Sequence, residues 1–172
     1  MDLARFGAIY YRISSSISTL DRGNELVGCF FPSATNFTAT QVLVVTWFDV
    51  AEAFSSIREV RWITEGYIRD TLAAVPSFFS FQSNTFQVAL VYNDFYSFAF
   101  FFYGDMEWGE SSNIGFHPSL IPDFASPLSR SFQLPIALTP ETVNIEETSN
   151  VRLPGFYAFR IDQPIIQQAE SK

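Results

Sequence analysis

The chain has 172 residues, 48% of them hydrophobic and 17% aromatic, with a formal net charge of -8. That length suits one domain with a full hydrophobic core, and the composition excludes a disordered chain. Apart from Lys172 every basic residue is arginine, and the lack of a basic patch argues against nucleic-acid binding and against docking on anionic lipid. In chain order, Phe6 to Ile13 (FGAIYYRI) is rich in aromatic and β-branched residues and predicts a strand. Ser14 to Ser16 is a loop. A helix follows, with Ser18 as N-cap and Asp21 in the capping-box position. Leu20, Asn24, Val27 and Phe31 share its inner face, and Pro32 stops it. Gly23 and Gly28 weaken it by up to about 1 kcal/mol each. Cys29, the only cysteine, sits in the apolar run LVGCFF. It reads as a small buried residue in preference to a thiol that pairs outside the chain.

The loop PSATNFTAT carries an N-x-T sequon at Asn36. Gln41 to Val50 (QVLVVTWFDV) predicts a strand whose run Val42 to Val45 is buried on both faces. Residues 51–83 leave two readings open. Ile57, Val60, Ile63, Tyr67 and Ile68 fit helical spacing, which is favoured, while Glu65-Gly66 suits a hairpin turn. Asn84 to Val91 and Ser97 to Trp108 read as an antiparallel hairpin around Asn93 and Asp94, which tolerate left-handed backbone. In the second strand, Phe98, Phe100 and Phe102 face one side and Ala99, Phe101 and Tyr103 the other. That pattern predicts a central strand covered on both sides. Asn113 to Leu134 is loop-like, Glu141 to Ile145 (ETVNI) a short strand, Pro154-Gly155 a turn, and Phe156 to Ile161 a last strand.

Several strands and one clear helix, without regular alternation, give an α+β fold. It is mostly antiparallel, sandwich-like or strongly curved, with an N-terminal helix and a second helix as one reading of 51–83. A single domain is expected over residues 1–172, with its core at about 6–162 and a polar tail or linker from Gln163 to Lys172. The first residues do not read as a signal peptide. A long uncharged stretch, Thr71 to Asn93, contains Pro76, Ser77, Gln82 and Asn84, so this segment is not expected to insert into a membrane.

No catalytic set emerges. His117, the only histidine, precedes Pro118 and reads as an ordinary loop residue. Asp105 and Glu107 share a face if the strand continues, and Glu110 follows. These acids are weak candidates for a metal or for acid–base work, and a solvated strand end is the favoured reading. Glu146 and Glu147 read as surface charge. No phosphate-cradling or nucleophile-elbow motif is present, and no cofactor is expected.

The order of short motifs is more specific. Asn84, Thr85, Phe86 and Gln87 open a short apolar strand; Ser97-Phe98 opens an aromatic one; Tyr103-Gly104-Asp105 and Trp108 follow. Downstream come Gly115-Phe116, Leu134-Pro135, Ser149-Asn150-Val151, Pro154-Gly155 and Phe159-Arg160-Ile161-Asp162. Upstream, Tyr10-Tyr11-Arg12 and Val45-Thr46-Trp47 fit the same pattern. This series, covering about Phe6 to Asp162, resembles the NIDO domain of nidogen, alpha-tectorin and mucin-4-like proteins. The connection from Asp49 to Asn84 is longer than usual for that family, and the glycine-rich stretch after the Trp is reduced to Gly109 to Asn113. The resemblance implies a non-enzymatic, extracellular structural or interaction module, secreted or membrane-anchored. Its partners would be matrix or cell-surface proteins. A carbohydrate- or small-ligand-binding domain, with or without a cation, is the alternative. The signature residues then take structural roles: Gly104 and Gly155 in turns, Trp47 and Trp108 in the core. Arg160 and Asp162 are either an internal charge pair or a solvated strand end.

Overall fold

The computed structural model describes residues 7–51, 83–107, 109, 114–116, 132–134, 137, 139–163 and 165–170. The aromatic and β-branched runs form β1 (Ala8–Ser14), β2 (Gln41–Ala51), β3 (Ser83–Tyr92), β4 (Ser97–Met106) and β7 (Phe156–Arg160). With β8 (Gln167–Gln168) they make one open six-stranded sheet in the order β1-β2-β3-β4-β7-β8. Every pairing in it is antiparallel. The fold is therefore α+β and mostly antiparallel. The β3–β4 hairpin forms with Tyr92 opposite Ser97. Its turn is closed by a side chain: Asn93 Oδ1 accepts the Phe95 and Tyr96 N–H groups at 2.9 and 2.8 Å. Left-handed backbone is not needed there; among described non-glycine residues it occurs at Asp49 and Arg152.

Opposed residues of antiparallel strands share a face. Val42, Val91 and Phe98 fall in line on one face, as do Val44, Ala89, Phe100 and Ala158. Helix α1 (Ile17–Phe30) covers this face with Val27 and Phe31, which are buried in one core cluster with Phe98 and Phe100. The N-cap is Ser16 and not Ser18, since the Ser16 carbonyl accepts the Thr19 and Leu20 N–H groups at 3.0 Å while its own backbone is extended. Ser18 and Asp21 lie exposed within the first turns. Cys29 is exposed, contrary to the buried reading. Two helical positions beyond buried Val27, it is turned about 200° away from the core face; the apolar letters around it do not share one side.

Aromatic side chains on the opposite face of β4 and β7 make a second cluster, in which Tyr157 and Phe159 join Leu134 and Ile145. Ile145 comes from a 3-10 helix (Pro140–Glu147), where a strand was expected over Glu141 to Ile145. Pro140 opens this helix, and the Thr142 hydroxyl donates to the Thr139 carbonyl at 2.7 Å. Thr142 and Ile145 are both buried. A three-residue spacing puts them on one side of a 3-10 helix but on opposite faces of a strand. Thus β4 is a central strand with a core on each side; Phe100 is fully buried and Phe101 half-buried.

Three further expectations are corrected. Of Val42 to Val45, only Val42 is buried, and Leu43, Val44 and Val45 are half-buried, because β2 adjoins the edge strand β1 whose residues 9–13 are exposed. The loop-like stretch from Asn113 to Leu134 contributes β5 (Gly115–Phe116) and β6 (Phe132–Gln133), paired with each other. The polar tail from Gln163 supplies β8, and beyond it Ala169 and Glu170 donate to the carbonyls of Ala158 and Phe30 at 3.1 and 2.9 Å. Ile57, Val60, Ile63, Tyr67 and Ile68, which carry the helical reading of 51–83, and His117, Trp108 and Glu110 lie outside the described residues. No helix among the described residues is long and apolar enough to cross a membrane.

Candidate functional site

The motif residues converge on two structural knots and one cleft. At the first knot, β7 lacks a full-length neighbour on its outer side, and Asn150 supplies a rung. Asn150 Oδ1 accepts the Ala158 N–H and its Nδ2 donates to the Ala158 carbonyl, both at 2.9 Å. Ser149 Oγ accepts the Val151 and Leu153 N–H groups at 2.9 and 3.0 Å, which sets the turn through exposed Pro154. Gly155 completes that turn at φ +71°, where an added Cβ would lie 2.4 Å from the Tyr103 carbonyl oxygen. Only glycine fits so close an approach in left-handed backbone. Buried Phe159 carries the chain on to Arg160. Arg160 Nε donates to Asp162 Oδ1 at 3.0 Å and its Nη2 to Oδ2 at 3.1 Å, with its guanidinium 4.9 Å from the Tyr96 ring centre. This is an internal charge pair, not a solvated strand end.

The second knot holds the far end of β4. Asn84 is buried and its Oδ1 accepts the Glu107 N–H at 2.9 Å, beside a register shift between Asn84 and Phe86. Gly104, expected in a turn, is instead an exposed residue within β4, opposite that shift. Glu146, read from sequence as surface charge, accepts the Met106 N–H at 2.7 Å. Its partner lies 40 residues away, so spacing carried no signal for it. On the helix face, Gln87 Nε2 donates to Thr46 Oγ1 across the strands at 2.6 Å, and Phe98 packs on Phe31 and Phe37 with ring centres 4.9 and 5.0 Å apart.

Between the knots, Trp47, Phe86 and Tyr103 stand side by side on β2, β3 and β4, with ring centres 4.9 and 6.1 Å apart. Trp47 is half-buried rather than part of the closed core. This ladder, with Phe101, Met106 and Ile114, lines a cleft of about 500 Å³. The last three were not marked from sequence; only the alternation of β4 pointed to Phe101. Burial, with Tyr157 nearby, pushes the Tyr103 phenol well above its ordinary pKa, so it stays neutral. The cleft can therefore accept apolar or aromatic groups and has no charged side chain among its described lining residues.

The acids do not assemble there. Asp105 and Glu107 are exposed, and Glu107 Oε2 accepts the Ser83 N–H at 2.8 Å. Among the described residues no group of three or more His, Cys, Asp or Glu gathers. Asn36 is exposed in the turn region between α1 and β2.

In comparison with known proteins, residues 1–163 match the nidogen-like domain. The chain belongs to the nidogen-like domain family. Among its relatives, mouse alpha-tectorin is 30% identical over 178 residues, covering 95% of this chain and 7% of the tectorin. The nidogen of Drosophila melanogaster is 28% identical over 86% of this chain and 10% of its own length. Dendrite extension defective protein 1 of Caenorhabditis elegans is 25% identical over 94% and 12%. This nidogen-like domain thus spans only 7% to 12% of these relatives. No solved structure matches it.

Proposed function

We propose that this nidogen-like domain is a non-catalytic, extracellular module of a cell–matrix adhesion or extracellular-matrix protein, serving as a structural or protein-interaction unit. The observation that carries this reading is the family match over residues 1–163. The use of the motif residues supports it: Asn84, Asn150, Gly155, Arg160 and Asp162 hold backbone in place, and none of them forms a nucleophile–base pair. Its partners are then matrix or cell-surface proteins. The exposed sequon at Asn36 belongs to the same reading, since N-glycans are added on secreted chains. Expression of the full-length gene product in animal cells tests it. The product is expected in the medium or on the cell surface, and Asn36→Gln is expected to remove one glycosidase-sensitive mass step. A cytosolic product with unmodified Asn36 would overturn the proposal.

A further inference from the structure

We infer that the outer edge of β1 is a self-association site, joining two copies of this chain by antiparallel pairing centred on Tyr11. The two edges of the sheet are unlike. β8 is two residues long, one of the ways in which proteins blunt an edge. β1 runs seven residues in unbroken register with β2, without proline or bulge. Among the described residues nothing pairs with its outer side. Its large side chains are exposed on both faces: Ile9 45%, Tyr10 62%, Tyr11 75% and Ile13 60%.

The strand AIYYRIS is self-complementary about Tyr11. In a two-fold pairing there, Ile9 of one copy faces Ile13 of the other, Ala8 faces Ser14, and Tyr11 faces its equivalent. Arg12, the only charge on the strand, faces the Tyr10 ring, a favourable cation–π partner. Centring one residue later would set Arg12 against Arg12, and centring one residue earlier would pair fewer positions. The Tyr11 register also keeps Ile9, Tyr11 and Ile13 of both copies on one side, continuous with half-buried Leu43, Val45 and Trp47. This match to itself at every position favours a second copy over a foreign strand. A seven-residue edge buries less than the roughly 1,200–2,000 Å² of a stable interface, so the association depends on concentration.

The test uses the 172-residue chain with Cys29→Ser, which removes the only thiol. Sedimentation over a concentration series is expected to show the mass rising to that of a dimer. Tyr11→Cys is expected to cross-link into covalent dimers under mild oxidation, and Ile13→Cys is not. Tyr10→Glu places a carboxylate opposite Arg12 and should retain the dimer, while Tyr10→Lys should weaken it at least about tenfold. A chain that stays monomeric at every concentration would overturn the inference. So would equal losses from both Tyr10 variants, or cross-linking through Ile13→Cys in place of Tyr11→Cys.

Discussion

One carboxylate, that of Asp162, ties together two parts of the chain, residues 160–163 and the start of β4. It takes both guanidinium donors from Arg160, the Ser97 N–H at 3.1 Å and the Gln163 amide at 2.6 Å. Burial alone would raise its pKa, but these donors outweigh burial and hold it below the ordinary 3.8. A depressed folded pKa means stability that is present above the unfolded value and lost as pH falls through the folded one. Asp162→Asn should therefore cost about 1–3 kcal/mol at neutral pH. The gap between variant and parent should close below about pH 4, in urea unfolding followed from neutral to acid. A gap that does not change with pH would assign the loss to packing. Sequence left this pair open between two readings for a physical reason. The Arg160–Asp162 spacing was visible, but the Ser97 donor that makes it internal lies 65 residues away. Gly155 was legible as a turn for the same local reason, and its contact with the Tyr103 carbonyl was not.

At the scale of elements, periodicity reported faces well where packing is regular and failed where the period itself was misjudged. The alternation of β4 put Phe98 and Phe100 on one face and Phe101 on the other, as observed, while only the structure shows that α1 covers the first face. ETVNI carried β-branched residues that suit a strand, yet Pro140 and the Thr139 cap set a three-residue period. Helix α1 separates propensity from packing most directly. Both its internal glycines weaken a helix in isolation. An added Cβ at Gly28 meets nothing within 4 Å, whereas at Gly23 it would lie 2.8 Å from Cγ1 of fully buried Val91. Gly28→Ala should stabilise the domain by about 0.5–1 kcal/mol. Gly23→Ala should destabilise it by about 1–3 kcal/mol, since a stiff buried valine must move. Chemical denaturation of the two variants checks this, and equal gains from both would show that α1 stands off the sheet.

For the whole molecule, local signals gave the hairpin and the helix but not what joins the last strands to the first helix. The family match ends at residue 163, yet the fold continues to residue 170. Ala169 packs against the core cluster beneath α1 and donates to the Ala158 carbonyl. The Glu170 N–H reaches the Phe30 carbonyl at the helix end, and the Glu170 carboxylate takes the Ser33 hydroxyl. Polar composition concealed this closure, because Gln167 and Gln168 are exposed and join the sheet through their backbone. A chain ending after Gln163 would lose these links and leave the Phe30 carbonyl to water. It should still fold, because the helix-side core around Phe98 and Phe100 is intact, but with stability lower by about 1–3 kcal/mol from the lost hydrogen bonds and apolar contact. Hydrogen exchange should quicken in the last turn of α1, where the Phe31 N–H bonds the Val27 carbonyl at 2.8 Å, more than in β2 or β3. Unchanged stability and exchange would mean that residues 165–170 lie on the domain without holding it, and that the helix end is secured by Pro32 and the core alone.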